Sequence, residues 1–208
     1  MAHAASDRPF WQSRNGILLA AAIATSAYAW WQIALPVMRL ANTRDHIGHF
    51  AMTFAHMIGG SGMLVFGALN LYLAARKTRF ALHRRVGQLY LLFGVFGASV
   101  AISVTLSQAH KSGIVLTNSS LSLAMLGAAW LLFAAMGWRA ARNRRFASHG
   151  DWMVRSFVLS WAFVICRITS RVPEIGTLGG GQAFIWLSWI VPLIVCELVL
   201  QWPKGARA

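Results

Sequence analysis

The sequence predicts an all-α fold, an integral membrane helical bundle of about six transmembrane helices with both termini in the cytoplasm. Composition is the first reason: of 208 residues, 57% are apolar and 12% charged, and the mean hydropathy is +0.55. So thin a polar inventory cannot cover a water-soluble globule of this size, and it matches lipid as the solvent. The second reason is a series of apolar runs, each near the roughly 20 residues that cross a hydrocarbon core. The third is the placement of the bases between those runs.

The runs cover residues 17–38, 50–74, 86–106, 114–138, 152–168 and 184–202. The start of the first also has the features of a secretory signal: residues 17–24 are apolar, and Ser26-Ala27-Tyr28-Ala29 offers small residues for cleavage. The apolar pattern continues through Trp30 and Trp31 to Val37, which suits an uncleaved anchor better. No internal repeat, low-complexity tract or long linker is expected, so residues 1–208 read as a single membrane domain. Trp11, Trp138, Trp152 and Trp202 fall near span ends, as an interfacial belt requires.

Nineteen Lys and Arg stand against five acidic residues, a formal charge of +14. In a soluble protein this would suggest nucleic acid, but here the bases gather in short segments between apolar runs, so no nucleic-acid partner is expected. The N-terminus (Arg8, Arg14), the second loop (Arg76, Lys77, Arg79, Arg84, Arg85), the fourth (Arg139, Arg142, Arg144, Arg145, Arg155) and the tail (Lys204, Arg207) hold fourteen. The opposite side holds five: Arg39, Arg44, Lys111, Arg167 and Arg171. Positive charge marks the cytoplasmic side, which places both termini inside a bacterial inner membrane with basic loops facing anionic headgroups. Cys166 and Cys196 lie in separate runs without metal-ligand spacing and read as core residues, not a disulfide.

Polar residues within a span are costly in lipid and are the first candidates for function. His49 and His56, seven residues apart, share a face of the second helix that continues through Gly60, Met63, Gly67 and Asn70. The third helix carries a face of His83, Gly87, Tyr90, Gly94, Gly97 and Ala101, and the fifth carries His149, Ser156, Ser160 and the intramembrane cation Arg167. By topology His83 and His149 lie at the cytoplasmic level, whereas His46, His49, His56 and His110 lie toward the outside. Axial ligation of a b-type haem needs neutral imidazoles, small residues to admit the macrocycle and cations near the propionates. Arg84, Arg85 and Arg155 would serve an inner propionate pair, and Arg167 or Arg171 an outer one.

The plainer alternative is that interfacial histidines bond headgroups, water or helix-end carbonyls, and that glycine faces serve packing alone. His3, His46 and His110 fall under it, whereas His56, about two turns inside its span, needs a partner. Zinc or copper held by His46, His49 and His56 ranks lower, because only Asp45 is at hand to complete the set. Glu197, the one acid deep in a span, takes Arg155 as its expected partner, as a structural ion pair before a proton relay. No nucleophile elbow, phosphate loop or carboxylate pair is visible, and Gly179-Gly180-Gly181 reads as an outer loop.

Three stretches, His56-Met57-Ile58-Gly59-Gly60, His83-Arg84-Arg85-Val86-Gly87-Gln88-Leu89-Tyr90 and His149-Gly150-Asp151-Trp152-Met153-Val154-Arg155 with Arg167 downstream, together resemble an uncharacterised family of bacterial multi-pass predicted membrane proteins. The resemblance covers residues 50–170. It implies a helical membrane bundle, singles out His56, His83, His149, Arg155 and Arg167, and brings no activity. Three functions compete: a haem b electron carrier working between a quinol and a redox partner, a non-catalytic subunit or assembly factor of a larger membrane complex, and a small-solute or proton transporter.

Overall fold

A computed structural model describes residues 14–31, 47–76, 79–112, 117–169, 172–176 and 183–205. Among them every regular element is helical: α1 Arg14–Ala29, α2 Ile47–Arg76, α3 Phe80–Ser112, α4 Asn118–Arg142, α5 Phe146–Ser160, α6 Ala162–Thr169, α7 Pro173–Gly176 and α8 Ala183–Gly205. Five stretches are long and apolar enough to cross a membrane, namely Phe54–Arg76, Phe80–Ser103, Asn118–Arg142, Phe146–Thr169 and Ala183–Gln201. They correspond to the second through sixth expected spans. Of the first, α1 is described and residues 32–38 lie outside the described residues.

The helices run past the apolar limits of several spans into the basic turns. Phe80 and Phe146 each open a helix six residues before the expected span start, because long arginine side chains carry their charge to water from a helical backbone. At the other end α4 starts at Asn118 rather than near residue 114. Thr117 and Ser120 form a capping box there: the Thr117 hydroxyl accepts from the Ser120 amide at 3.1 Å, and the Ser120 hydroxyl accepts from the Thr117 amide at 2.8 Å.

The chain divides into two compact units, residues 1–97 and 98–208. In the first, α1 packs on α2: the Trp30 indole N–H donates to Ser61 Oγ at 3.1 Å, and its ring meets Phe54 edge-on at 5.3 Å. Helices α2 and α3 form an antiparallel hairpin in which glycine replaces side-chain contact. A Cβ added to Gly59 would lie 2.6 Å from the Gly97 Cα, and one on Gly62 would enter the Phe93 ring. The absence of those side chains lets the backbones approach as small-residue interfaces do in lipid. Phe66 and Phe93 continue the seam with ring centroids 5.3 Å apart.

In the second unit, α4 and α5 form another antiparallel hairpin, and α8 runs parallel to α4 and antiparallel to α5. Indole donors hold this unit together: Trp130 to Ser160 Oγ at 3.3 Å, Trp189 to Ser122 Oγ at 3.1 Å and Trp186 to Asn118 Oδ1 at 3.0 Å. Trp130 and Trp189 are buried, so these tryptophans bridge helices instead of joining an interfacial belt. Cys166 and Cys196 are both free thiols.

Candidate functional site

The two hairpin turns share residues and differ in backbone by one position. The helix ends at Arg76 in one and Arg142 in the other, and the next helix begins four residues on, at Phe80 or Phe146. The sequence is shared too, which corrects the expectation of no internal repeat. Ala74, Ala75, Arg76, Arg79, Phe80, Ala81 and His83 recur as Ala140, Ala141, Arg142, Arg145, Phe146, Ala147 and His149. The left-handed residue is placed differently in the two: Arg79 (φ 57°) directly precedes its helix, whereas Arg144 (φ 57°) stands one residue further back, and its counterpart Thr78 lies outside the described residues. In the second turn the Arg144 amide bonds the Ala141 carbonyl at 3.0 Å and the Arg145 amide the Ala140 carbonyl at 2.9 Å, closing the helix end in the Schellman manner.

Each turn delivers its histidine to a carbonyl of the helix just left. His83 Nδ1 lies 3.3 Å from the Asn70 carbonyl oxygen, and His149 Nδ1 lies 2.9 Å from the Gly137 carbonyl oxygen. A carbonyl only accepts, so Nδ1 is the donating nitrogen in both rings. Small residues make room for the arrangement. A Cβ on Gly87 would stand 3.1 Å from Asn70 Nδ2, and one on Gly137 would stand 2.7 Å from the Met153 sulfur.

His56 and His83 belong to the first unit but not to one site. His83 bonds the backbone at Asn70, fourteen residues along α2 from His56, or about 21 Å at the helical rise. His56 is half-buried and stands three residues before Gly59, where α2 and α3 touch. The side chains of His49 and His110, and residues His3, His46 and Arg171, lie outside the described residues. Among the described residues no group of three or more His, Cys, Asp or Glu converges as a metal site would require.

The second unit joins the acid and base that the sequence paired. Arg155 Nε donates to Glu197 Oε1 and Nη2 donates to Oε2 at 2.9 Å, a two-pronged bridge between α5 and α8. The Arg155 guanidinium also lies 4.9 Å from the Trp152 ring centre. Ser156 and Ser160 of the expected His149 face are fully buried, and the Ser160 hydroxyl donates to the Ser156 carbonyl at 3.0 Å. Arg167 does not share that burial; it is exposed. The cause is a tight turn at Trp161, whose amide bonds Val158 while its carbonyl accepts from Val164, both three residues away. Tight turns overwind the helix, so the spacing of a uniform helix fails beyond them.

Sequence reasoning passed over Asn70 and Gly137 as histidine partners, since a backbone carbonyl leaves no residue-type signal. It also passed over Trp130 and Trp189, although a tryptophan far from a span end is itself a sign of a buried donor.

The family model described as a predicted membrane protein (DUF2306) matches residues 53–200. The chain belongs to this family. The match takes in both repeated turns, the Arg155–Glu197 bridge and nearly all of α8, extending beyond the stretch up to residue 170 that the motifs suggested. No curated protein and no solved structure matches the chain. The family is a multi-pass membrane family of unknown function, and its membership supports the membrane bundle without assigning chemistry.

Proposed function

We propose that this protein is a haem b electron carrier of a bacterial inner membrane, with His56, His83 and His149 as iron ligands and both termini in the cytoplasm. The observation that carries the reading is the repeated Nδ1 bond to a backbone carbonyl at His83 and His149. Metal-bound histidines characteristically donate their other ring nitrogen in this way, which sets the tautomer, orients the ring and raises the basicity of Nε2. Haem, when bound, supplies a one-electron iron couple. The separation along α2 supports a reading in which His56 and His83 serve different haems of a carrier that spans the bilayer. The test is the optical spectrum of the detergent-purified protein after expression with haem supply, before and after reduction. A Soret band that shifts on reduction, and that weakens in His56→Ala, His83→Ala and His149→Ala, is the expected result. No haem absorbance, and none after reconstitution with haem, would falsify the proposal.

A second reading, a non-catalytic subunit of a membrane complex, draws on the contact of Gly59 with Gly97. There the glycine face admits a helix backbone where a macrocycle was expected to enter. A stable partner co-purifying with a cofactor-free protein would favour this reading.

A further inference from the structure

The two hairpins are closed by different contacts behind the turn, glycine against backbone in one and indole to serine in the other. Helix packing accounts for the shared histidines, which bond the preceding helix in both hairpins, but gives no common reason for the exposed residues they share. Four of the shared positions point outward: Arg76 and Arg142, Arg79 and Arg145, Phe80 and Phe146, and Ala81 and Ala147 are all exposed. The phenyl rings are exposed to nearly the same degree, 71% at Phe80 and 69% at Phe146. A large apolar ring held out among arginines is unfavourable in water. It is favourable where headgroups meet acyl chains, with the ring below and the guanidinium at the phosphates.

Arg76 rests 5.3 Å from the Tyr72 ring centre, and among the described residues no salt bridge reaches these four arginines. The ion pair found among the described residues engages Arg155, and neither α3 nor α5 has an acid in its first turn. Arg145, at the N-cap of α5, places positive charge at the positive end of the helix dipole, an unfavourable position that a bound anion relieves. Planar guanidinium groups match phosphate oxygens two at a time.

We propose that each turn is a binding site for one anionic phospholipid, with Arg76 and Arg79, or Arg142 and Arg145, on the headgroup phosphate and Phe80 or Phe146 wedged at the acyl boundary. The sites are independent of any haem. The bilayer supplies the phosphate, since the adjoining phenyl ring has no use for a free ion.

Native mass spectrometry of the full chain, delipidated in detergent and titrated with phosphatidylglycerol or phosphatidylcholine, reads the sites directly. The wild type is expected to retain two phosphatidylglycerol molecules in preference to phosphatidylcholine, and 0.5 M salt to erase the preference. Each arginine changed to glutamine should weaken its site about fivefold, as expected for a base near an anionic surface. R76Q with R79Q, or R142Q with R145Q, should therefore leave one bound lipid, and all four substitutions none. Phe80→Ala and Phe146→Ala should weaken retention of the lipid but not the discrimination between headgroups. Equal retention of the two lipids by the wild type overturns the proposal, as does an unchanged preference in the quadruple variant. Displacement by millimolar inorganic phosphate would also overturn it, by showing a free-anion site. The salt response of the wild type needs no variant to fold.

Discussion

The hairpin of α2 and α3 and the hairpin of α4 and α5 share a turn but differ in the contacts behind it. The first brings Gly59 and Gly97 together backbone to backbone, with Phe93 covering Gly62. The second also has a glycine at its seam, Gly137 against the Met153 side chain, but spans the seam with the indole of Trp130, while α8 adds the Arg155 bridge. Lipid offers no hydrophobic drive for helices to associate, so helices join by close packing or by hydrogen bonds that have no better partner nearby. This protein weights the two differently in its two units: backbone contact at glycine leads in the first, side-chain hydrogen bonds in the second. A turn sequence can thus be repeated faithfully while the helix faces behind it diverge.

The comparison breaks most readily at the ion pair. Glu197→Gln leaves the Arg155 guanidinium without its counter-charge, and a loss of about 3 kcal/mol is expected. Replacing both partners by Met and Leu should restore most of it, because two apolar residues leave no buried charge behind. Thermal unfolding in detergent measures both variants, and equal losses in the single and double variants would show that the bridge contributes through packing alone.

Next in size is the glycine seam. Gly59→Ala places a methyl group 2.6 Å from backbone that has little freedom to move, and a loss of about 2 kcal/mol is expected. Gly97→Ala meets its nearest neighbours at 3.4 Å and should change stability by less than about 0.5 kcal/mol. The same melts decide it, and equal effects at the two positions would refute the described geometry.

The smallest effect belongs to the turn. Arg144 holds a left-handed backbone that glycine adopts without strain, so Arg144→Gly should raise stability by about 0.5 to 1 kcal/mol. A destabilised variant would mean that the arginine side chain makes a contact stronger than the strain it tolerates.

The membrane-spanning character and the approximate limits of five spans were legible because hydropathy acts one residue at a time. The Arg155–Glu197 pair was legible because five acids in the chain, with one deep in a span, leave few ways to satisfy a carboxylate in lipid. The exposure of Arg167 was not legible because its placement depends on helical register across Trp161, and the tight turn there has no marker such as proline. The turn repeat lay in the sequence but is kept at only a few positions between dissimilar helices, too brief for a pattern sought at the length of a folded unit.

The sequence alone determined that the chain folds in lipid and which of its polar groups would need partners there, because both follow from the cost of exposing a given side chain to a given solvent. Only the tertiary structure decided that His83 and His149 meet backbone carbonyls, that glycine faces close on a helix, and that buried tryptophans donate to serines. Those outcomes depend on which atoms two helices bring within a few ångströms, and a one-dimensional pattern carries no such distance.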